Sequence, residues 1–374
     1  MRVLIAPDKF KGTLTAREAA DAIARGWHTQ RPQDALELLP ISDGGDGFGE
    51  VMGGLLGATT RQVNTVDAAH RSSKATWWWS RKTKTAVIES AGVIGLAMLP
   101  KGKFHPFDLD TFGLGEVLLA AQRMKAKEII IGIGGSATND AGFGLARALG
   151  WEFLDMDDHA IESWTGLETL AKVCKPAKKL PARIVVAVDV RNPLLGVRGA
   201  SRVYGPQKGL RPEDFEPAER CLRRLAVVLK QQCNLDFARA PGAGAAGGLG
   251  FGLMTFAGAT FQSGFDLVAL RARLERQLSR ADLVVTGEGA IDRTTAMGKG
   301  CGEIALRCRA RRIPCIALGG KVTRTAQVKK LFTQTSALTE LTTPTEAMRK
   351  SAFWLSRLAA KTASNLVCKP PPRS

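Results

Sequence analysis

Five segments of this chain place carboxylates, lysines, hydroxyls and glycines directly after an apolar run, the composition of loops that hold an anion, a metal or both. In open α/β sheets ligands bind beyond the carboxyl ends of the strands, so such loops are candidate site residues. The first is Pro7-Asp8-Lys9-Phe10-Lys11-Gly12-Thr13, with the carboxylate of Asp8 and the ammonium of Lys11 set for an anion or its metal. The second, Asp43-Gly44-Gly45-Asp46-Gly47, lets the backbone approach a ligand and offers Asp43 and Asp46 to a metal or as a general base; read blandly, it is a glycine-rich turn feeding a helix. The third runs Gly132-Ile133-Gly134-Gly135-Ser136-Ala137-Thr138-Asn139-Asp140-Ala141-Gly142. Its amides, its hydroxyls and a following helix N-terminus suit a phosphate or carboxylate, with Asp140 as ligand or as helix cap.

The fourth begins at Asp189 and Asn192 and continues through Gly199-Ala200-Ser201 to Tyr204-Gly205-Pro206-Gln207-Lys208-Gly209. Asp189 falls at the end of an apolar strand, where an unpaired buried carboxylate is costly; an arginine partner or a catalytic duty would account for it. The fifth, Thr286-Gly287-Glu288-Gly289-Ala290-Ile291-Asp292 with Lys299 following, brings two acids and a lysine together for metal and phosphate contacts, or forms a surface loop with a capping acid. A sixth stretch, Gly242-Ala243-Gly244-Ala245-Ala246-Gly247, fits G-x-G-x-x-G, but Pro241 precedes it and no apolar strand leads into it. A close-packed helix opening is the better reading. No Walker P-loop is present.

The elements that must position these loops alternate between strand and helix. Arg2-Val3-Leu4-Ile5-Ala6 reads as a strand, and 15–27 as a helix whose Thr15 and Glu18 form a capping box. A short strand over 36–39 follows. Between about 59 and 90 the texture becomes three adjacent strands, 61–66, 75–79 and 85–89, which marks a second domain. Trp77, Trp78 and Trp79 cannot line one site, because neighbouring strand positions face opposite ways. Continuous apolar runs at 128–133, 184–188, 283–285 and 315–318 are buried parallel strands. Helices are expected over 213–232, 299–309 and 344–365, and the end, 369–374, is a polar polyproline tail.

The length of 374 residues favours two α/β domains. No apolar run is long enough for a membrane span, and the early Asp8 argues against a signal peptide, so a cytoplasmic location is expected. Seven cysteines show no C-x-x-C pair. Cys301, Cys308 and Cys315 recur at intervals of seven, but two fall on one expected helix and the third on a strand, so they read as buried thiols. A net charge of +18 could serve nucleic acid or draw in anionic substrates. The basic stretches 172–183, 198–239 and 307–330 are not interleaved with stacking aromatics, which disfavours nucleic acid.

Taken in order, the segments resemble the bacterial glycerate kinase family, of the class I, glycerate 2-kinase type. The family's P-D-S-F-K-G/E-S/T-L-S/T matches 7–15, and A-D-G-G-E-G-T matches 42–48. G-G-S-A-T-N-D-G-G matches 134–142 with Ala141 in place of a glycine. D-x-x-N-P-L-L-G-x-x-G-A-S covers 189–201, Y/F-G-P-Q-K-G 204–209, G-A-G-A-A-G-G-L-G 242–250 and T-G-E-G-x-x-D 286–292. Ala290 stands where the family commonly has arginine, and Asp67-Ala68-Ala69-His70-Arg71 is only loosely similar to its D-P-L-G-R turn.

The resemblance implies a flavodoxin-like (Rossmann-like) parallel-sheet domain with an inserted α+β domain, the active site lying in the cleft between them. The approximate limits are 1–60 plus 245–374 for the first and 61–244 for the insert. It further implies ATP, Mg²⁺ and glycerate, most often yielding 2-phosphoglycerate. On this reading Asp189 is the base or an orienting acid, and Lys11, Lys208 and Lys299 neutralise phosphate or carboxylate charge. Asp8, Gly44, Gly45, Gly134, Gly135, Ser136, Thr138, Asn139, Asn192 and Gln207 contact substrate or nucleotide, and Asp43, Asp46, Glu288 and Asp292 do so or hold the metal. Glycerate and ATP are the expected partners, without nucleic acid or membrane, and a homodimer is the open oligomeric option. The alternatives are a kinase for tartronate or an aldonate, and a non-catalytic anion- or nucleic-acid-binding protein on the same scaffold.

Overall fold

A computed structural model describes residues 1–178, 180–296 and 300–366, and the expected polyproline tail lies outside them. In chain order the strands are β1 (Arg2–Ile5), β2 (Ala35–Leu38), β3 (Thr59–Val66), β4 (Ser72–Ser80), β5 (Thr85–Glu89), β6 (Glu128–Gly132), β7 (Glu152–Leu154), β8 (Lys172–Cys174), β9 (Arg183–Ala187), β10 (Thr260–Gln262), β11 (Leu283–Ile291), β12 (Cys315–Val322) and β13 (Gln334–Ala337).

The chain divides into two units, Met1–Asp43 with Phe265–Ser374, and Gly44–Gly264. The division lies about twenty residues from the expected limits at each crossing. The helix Phe48–Leu55 goes with the second unit because Trp78 of β4 packs on it at Gly49 and Gly53. The helix Leu249–Ala257 goes there too, its Leu249, Phe251, Leu253 and Phe256 filling the second unit's core.

The first unit carries a five-stranded parallel sheet in the order β13-β12-β11-β1-β2. Counted within the unit this is the 2-1-3-4-5 order of the flavodoxin-like fold. Val3, Ile5, Val285, Ile316 and Leu318 share a core with Ile23 and Trp27 of the helix Ala16–Gln30 and with Leu355 and Leu358 of the helix Ser351–Ser364. The first of these helices starts at the expected capping box: Glu18 N donates to Thr15 Oγ1 at 3.2 Å and Thr15 N to Glu18 Oε2 at 2.9 Å. The helix expected over 344–365 is two, Pro344–Arg349 and Ser351–Ser364. Lys350 separates them at φ −128°, ψ 47°, outside the helical region.

The second unit has a six-stranded sheet, β10-β9-β6-β5-β4-β3, with β10, β9, β6 and β5 parallel and β4 and β3 added antiparallel at one edge. Ile129, Ile131 and Val186 share its core with Leu114, Val117 and Leu118 of the helix Phe112–Arg123 and Leu222, Leu225 and Leu229 of the helix Phe215–Cys233. Trp77 and Trp79 are buried in that core while Trp78 meets the opposite helix, the alternation a strand requires. Among the described residues no helix is long and apolar enough to cross a membrane.

Candidate active site

In the first unit the strand order reverses at β1 and β11, and ligands in such sheets bind beyond the carboxyl ends at that point. The register Ile5↔Val285 continues past the strands: Ala6 N donates to Val285 O and Asp8 N to Gly287 O, both at 2.8 Å. Asp8 is thereby carried alongside Glu288. Gly287 is required here, since a Cβ would lie 2.3 Å from Leu318 O. The buried Phe10 anchors the loop, while Lys11 stands exposed on it.

Three half-buried carboxylates, Asp8, Asp43 and Glu288, gather at this edge. Burial, then the charges of Asp43 and Glu288, push Asp8 up to about 7. Glu288 is pushed up to about 7 by burial and the charges of Asp292 and Asp43, although Thr295 Oγ1 donates to it at 2.6 Å. Asp292 is held below the usual range by the Thr294 hydroxyl at 2.6 Å and amide at 2.7 Å. Lys299 lies outside the described residues. Cys301 is buried beneath this edge, its thiol donating to Gly287 O at 3.1 Å, and burial with the nearby Glu288 and Asp8 charges drives its pKa up. Cys308 and Cys315 are likewise buried and reduced.

In the second unit the loop after β6 is built around Lys208, which ends the helix Ala200–Lys208. Lys208 is buried; its Nζ donates to Ser136 Oγ at 2.9 Å and to Thr138 O at 2.6 Å. Burial brings the amine down to about 7 against the weaker opposing pull of Asp140. Ser136 passes its own hydrogen to Ala246 O at 3.0 Å. Asn139 Nδ2 donates to Ser201 Oγ at 2.9 Å. Thr138 Oγ1 and Asn139 Oδ1 are buried and find no partner among the described residues. The 242–247 glycine stretch is the other wall: Ala141 N donates to Gly247 O, and a Cβ on Gly247 would sit 1.9 Å from Thr138 O. The close-packed reading of that stretch therefore holds.

Two sequence expectations change here. The helix after this loop starts only at Phe143, and Asp140 fills its N-terminus, accepting from Gly144 N at 3.0 Å and from the Thr111 amide and hydroxyl at 2.9 and 2.7 Å. That N-terminus is not open to an external anion, and the group beside the loop is the Lys208 amine instead. Burial and the charge of Asp110 raise Asp140 to about 6. Secondly, Asp189 is exposed, accepting from Gly264 N at 3.3 Å, because β9 ends two residues earlier and the chain leaves the sheet. The burial cost that singled it out does not apply.

The remaining expected residues take clear places. Asn192 donates to Arg198 O and accepts from Tyr204 OH, both at 2.8 Å, so it braces its own loop. Gln207 and Asp46 are exposed. Gly44 and Gly45 lie against Gly132 and Gly134, Gly134's missing Cβ leaving room 3.0 Å from Gly45 Cα. Three residues escaped the sequence reading. Glu89 accepts from Gly47 N at 2.8 Å and Gly49 N at 2.9 Å and so caps the helix Phe48–Leu55; its signal was an acid ending an apolar strand. Glu219, buried on an apolar helix face, accepts from Gly196 N and anchors the fourth loop. Thr295 had no sequence signal.

Among the described residues the one group of three ligand atoms mutually within 4.8 Å is Asp155, Asp157 and His159, on an exposed turn. Asp8, Asp43 and Glu288 stand further apart than a closed chelate. They suit a hard cation held in part by other oxygens, and the Lys208 amine with the orphan Thr138 hydroxyl and Asn139 amide oxygen beside it suits a small ligand that both donates and accepts hydrogen bonds.

Comparison with known proteins agrees with this chemistry. The chain is 36% identical to the glycerate 2-kinase of Escherichia coli (strain K12) over 374 residues, 98% of each chain. It is 37% identical to a glycerate kinase of Bacillus cereus over 329 residues, 86% of each. A crystal structure of a Salmonella typhimurium LT2 protein assigned as glycerate kinase 2 superposes with a TM-score of 0.85 at 34% identity, covering 97% of both chains. The family model described as glycerate kinase matches residues 3–367, and the chain therefore belongs to the glycerate kinase family of phosphotransferases.

Proposed function

We propose that this enzyme moves the γ-phosphoryl group of ATP to a hydroxyl of glycerate in the cytoplasm, with 2-phosphoglycerate as product. The observation that carries the reading is the gathering of Asp8, Asp43 and Glu288 at the β1–β11 switch point of a chain in this family. Carboxylate charges close enough to push Asp8 and Glu288 up call for a cation. Oxygen-only donors, too spread for a full cage, match Mg²⁺, which keeps waters and phosphate oxygens in its shell. Asp8, Asp43 and Glu288 would hold it, with Asp292 beside them; Asp46, a candidate from the sequence, belongs to the second unit and is not assigned to it. When bound, the ion neutralises charge on the transferring phosphate.

Lys11 is free to meet phosphate from its exposed loop. Lys208, held by Ser136, offers its amine, Thr138 an unpartnered hydroxyl and Asn139 an acceptor oxygen, the set that a carboxylate carrying a neighbouring hydroxyl would meet. Asp189 and Gln207, exposed on the fourth loop, would orient the acceptor. A coupled ADP-release assay with D-glycerate, followed by phosphorus NMR of the product, tests the reading. Turnover with a 2-phosphoglycerate resonance is expected. No ADP release with glycerate, but turnover with tartronate or an aldonate, would reassign the acceptor.

A further inference from the structure

We propose that Lys208 is the catalytic base that takes the proton from the acceptor hydroxyl, an inference that rests on the glycerate kinase reading above. The hydrogen-bond census around its amine is the reason. Nζ donates to Ser136 Oγ and Thr138 O, and Ser136 directs its own hydrogen away to Ala246 O. A neutral amine has two N–H bonds, and both are placed, which leaves the lone pair. An ammonium would bring a third N–H for which the described residues supply no acceptor. No carboxylate among them forms an ion pair with it, and the charge of Asp140 offsets only part of the cost of burying an ammonium.

The charged group acting on Lys208 is Asp140, and that carboxylate is committed to Thr111, Gly142 and Gly144. Behind it stands Asp110, paired with His70 at 2.9 Å. Burial brings the amine to about 7, which puts its proton affinity near the working pH, where a base is most effective. Asp189, the other candidate, is exposed and already accepts an amide proton, a situation suited to orienting rather than to abstraction.

In the step itself the hydroxyl proton moves to the Nζ lone pair as the hydroxyl oxygen bonds to the γ-phosphorus. The bond from that phosphorus to the bridging oxygen breaks, and its electron pair leaves with ADP. Lys208 ends as ammonium and returns its proton to solvent after release.

The experiment uses the full chain in the ADP-release assay with D-glycerate. Lys208→Ala should lower kcat by roughly 100-fold or more, with a smaller effect on the KM for ATP. Methylamine and ethylamine should restore part of the rate, and the restored rate should rise with pH in step with the unprotonated amine. Rescue that follows the protonated amine, or an intact kcat with a raised KM for glycerate, would show a charge-neutralising lysine and overturn the proposal. Should the variant fail to fold, the wild-type profile decides. The acidic limb of kcat/KM should move to lower pH on warming, as amines do, and a limb that stays fixed with temperature identifies a carboxylate and overturns the proposal. Wild-type protein that turns over no hydroxy acid would overturn the kinase reading and this inference together, whereas turnover with ammonium-tracking rescue removes only the inference.

Discussion

The carboxylate edge of the first unit should make the protein less stable as pH rises from about 4 to 7. Asp8 and Glu288 titrate near 7 in the fold, against 3.8 and 4.5 when free. A carboxyl whose folded pKa lies above its unfolded value binds its proton more tightly in the fold. Its contribution is therefore largest below the unfolded value, is lost as pH rises through the folded value, and is constant above it. Each pH unit between the two values is worth about 1.4 kcal/mol, so Asp8 alone would lose about 4 kcal/mol and Glu288 about 3. The two are partly one effect, because the Glu288 charge helps to raise Asp8, and solvent at these half-buried positions screens both. A joint loss of about 3–5 kcal/mol is expected. Urea melts at pH 4 and pH 7 measure it. Millimolar Mg²⁺ should restore stability at pH 8 and do little at pH 5, where protons already neutralise the site. Asp43→Asn, which removes a charge acting on both carboxyls, should shrink the pH-dependent loss by about 1 kcal/mol. Stability that rises between pH 5 and 7 while Lys208→Met leaves it unchanged, or an Asp43→Asn protein with the full wild-type loss, would refute the clustering of these carboxylates.

Asp140→Asn should cost about 2–4 kcal/mol in a urea melt at pH 8, because an amide cannot accept from Thr111 and two backbone N–H groups as a carboxylate does, and it should also lower the affinity of Lys208 for its proton. Gly247→Ala combines φ +73° with a Cβ 1.9 Å from Thr138 O, so it should displace the 134–139 loop, costing upwards of about 2 kcal/mol and most of the turnover, both readable from melts and the ADP assay on the same preparation.

Much of the scaffold was legible because its signals are local. The Thr15–Glu18 box, the apolar runs of β6, β9, β11 and β12, and the alternation of Trp77, Trp78 and Trp79 each depend on neighbours within a few residues. The limits of the two units were misjudged because they depend on which sheet a helix packs against. Nothing inside 48–55 announces that Trp78, more than twenty residues later, is its partner. The break at Lys350 is of the same kind, a continuous helical pattern interrupted by backbone geometry that no residue type marks.

The site shows the same division between what a residue is and what surrounds it. Composition brought out Lys208, Asp189 and the 134–142 loop, but it singled out Asp189 on the assumption that a strand's end is buried and read Lys208 only as a charge-neutralising lysine. The chain leaves β9 two residues before Asp189, while Lys208, on a polar-looking helix, turns inward behind the loop. Likewise a glycine-rich turn before a helix reads as an anion site whoever fills it. Here Glu89 and Asp140 already occupy the helix N-termini at Gly47 and Gly142, two anions the protein supplies to itself. The helix dipoles are thus spent on holding the loops in shape; among the described residues the first unit keeps the exposed Lys11 and whatever cation its three carboxylates recruit, and the second keeps the amine of Lys208. Among the described residues the carboxylate edge of the first unit calls for imported positive charge, a metal ion or protons on Asp8 and Glu288, before an anion can approach it.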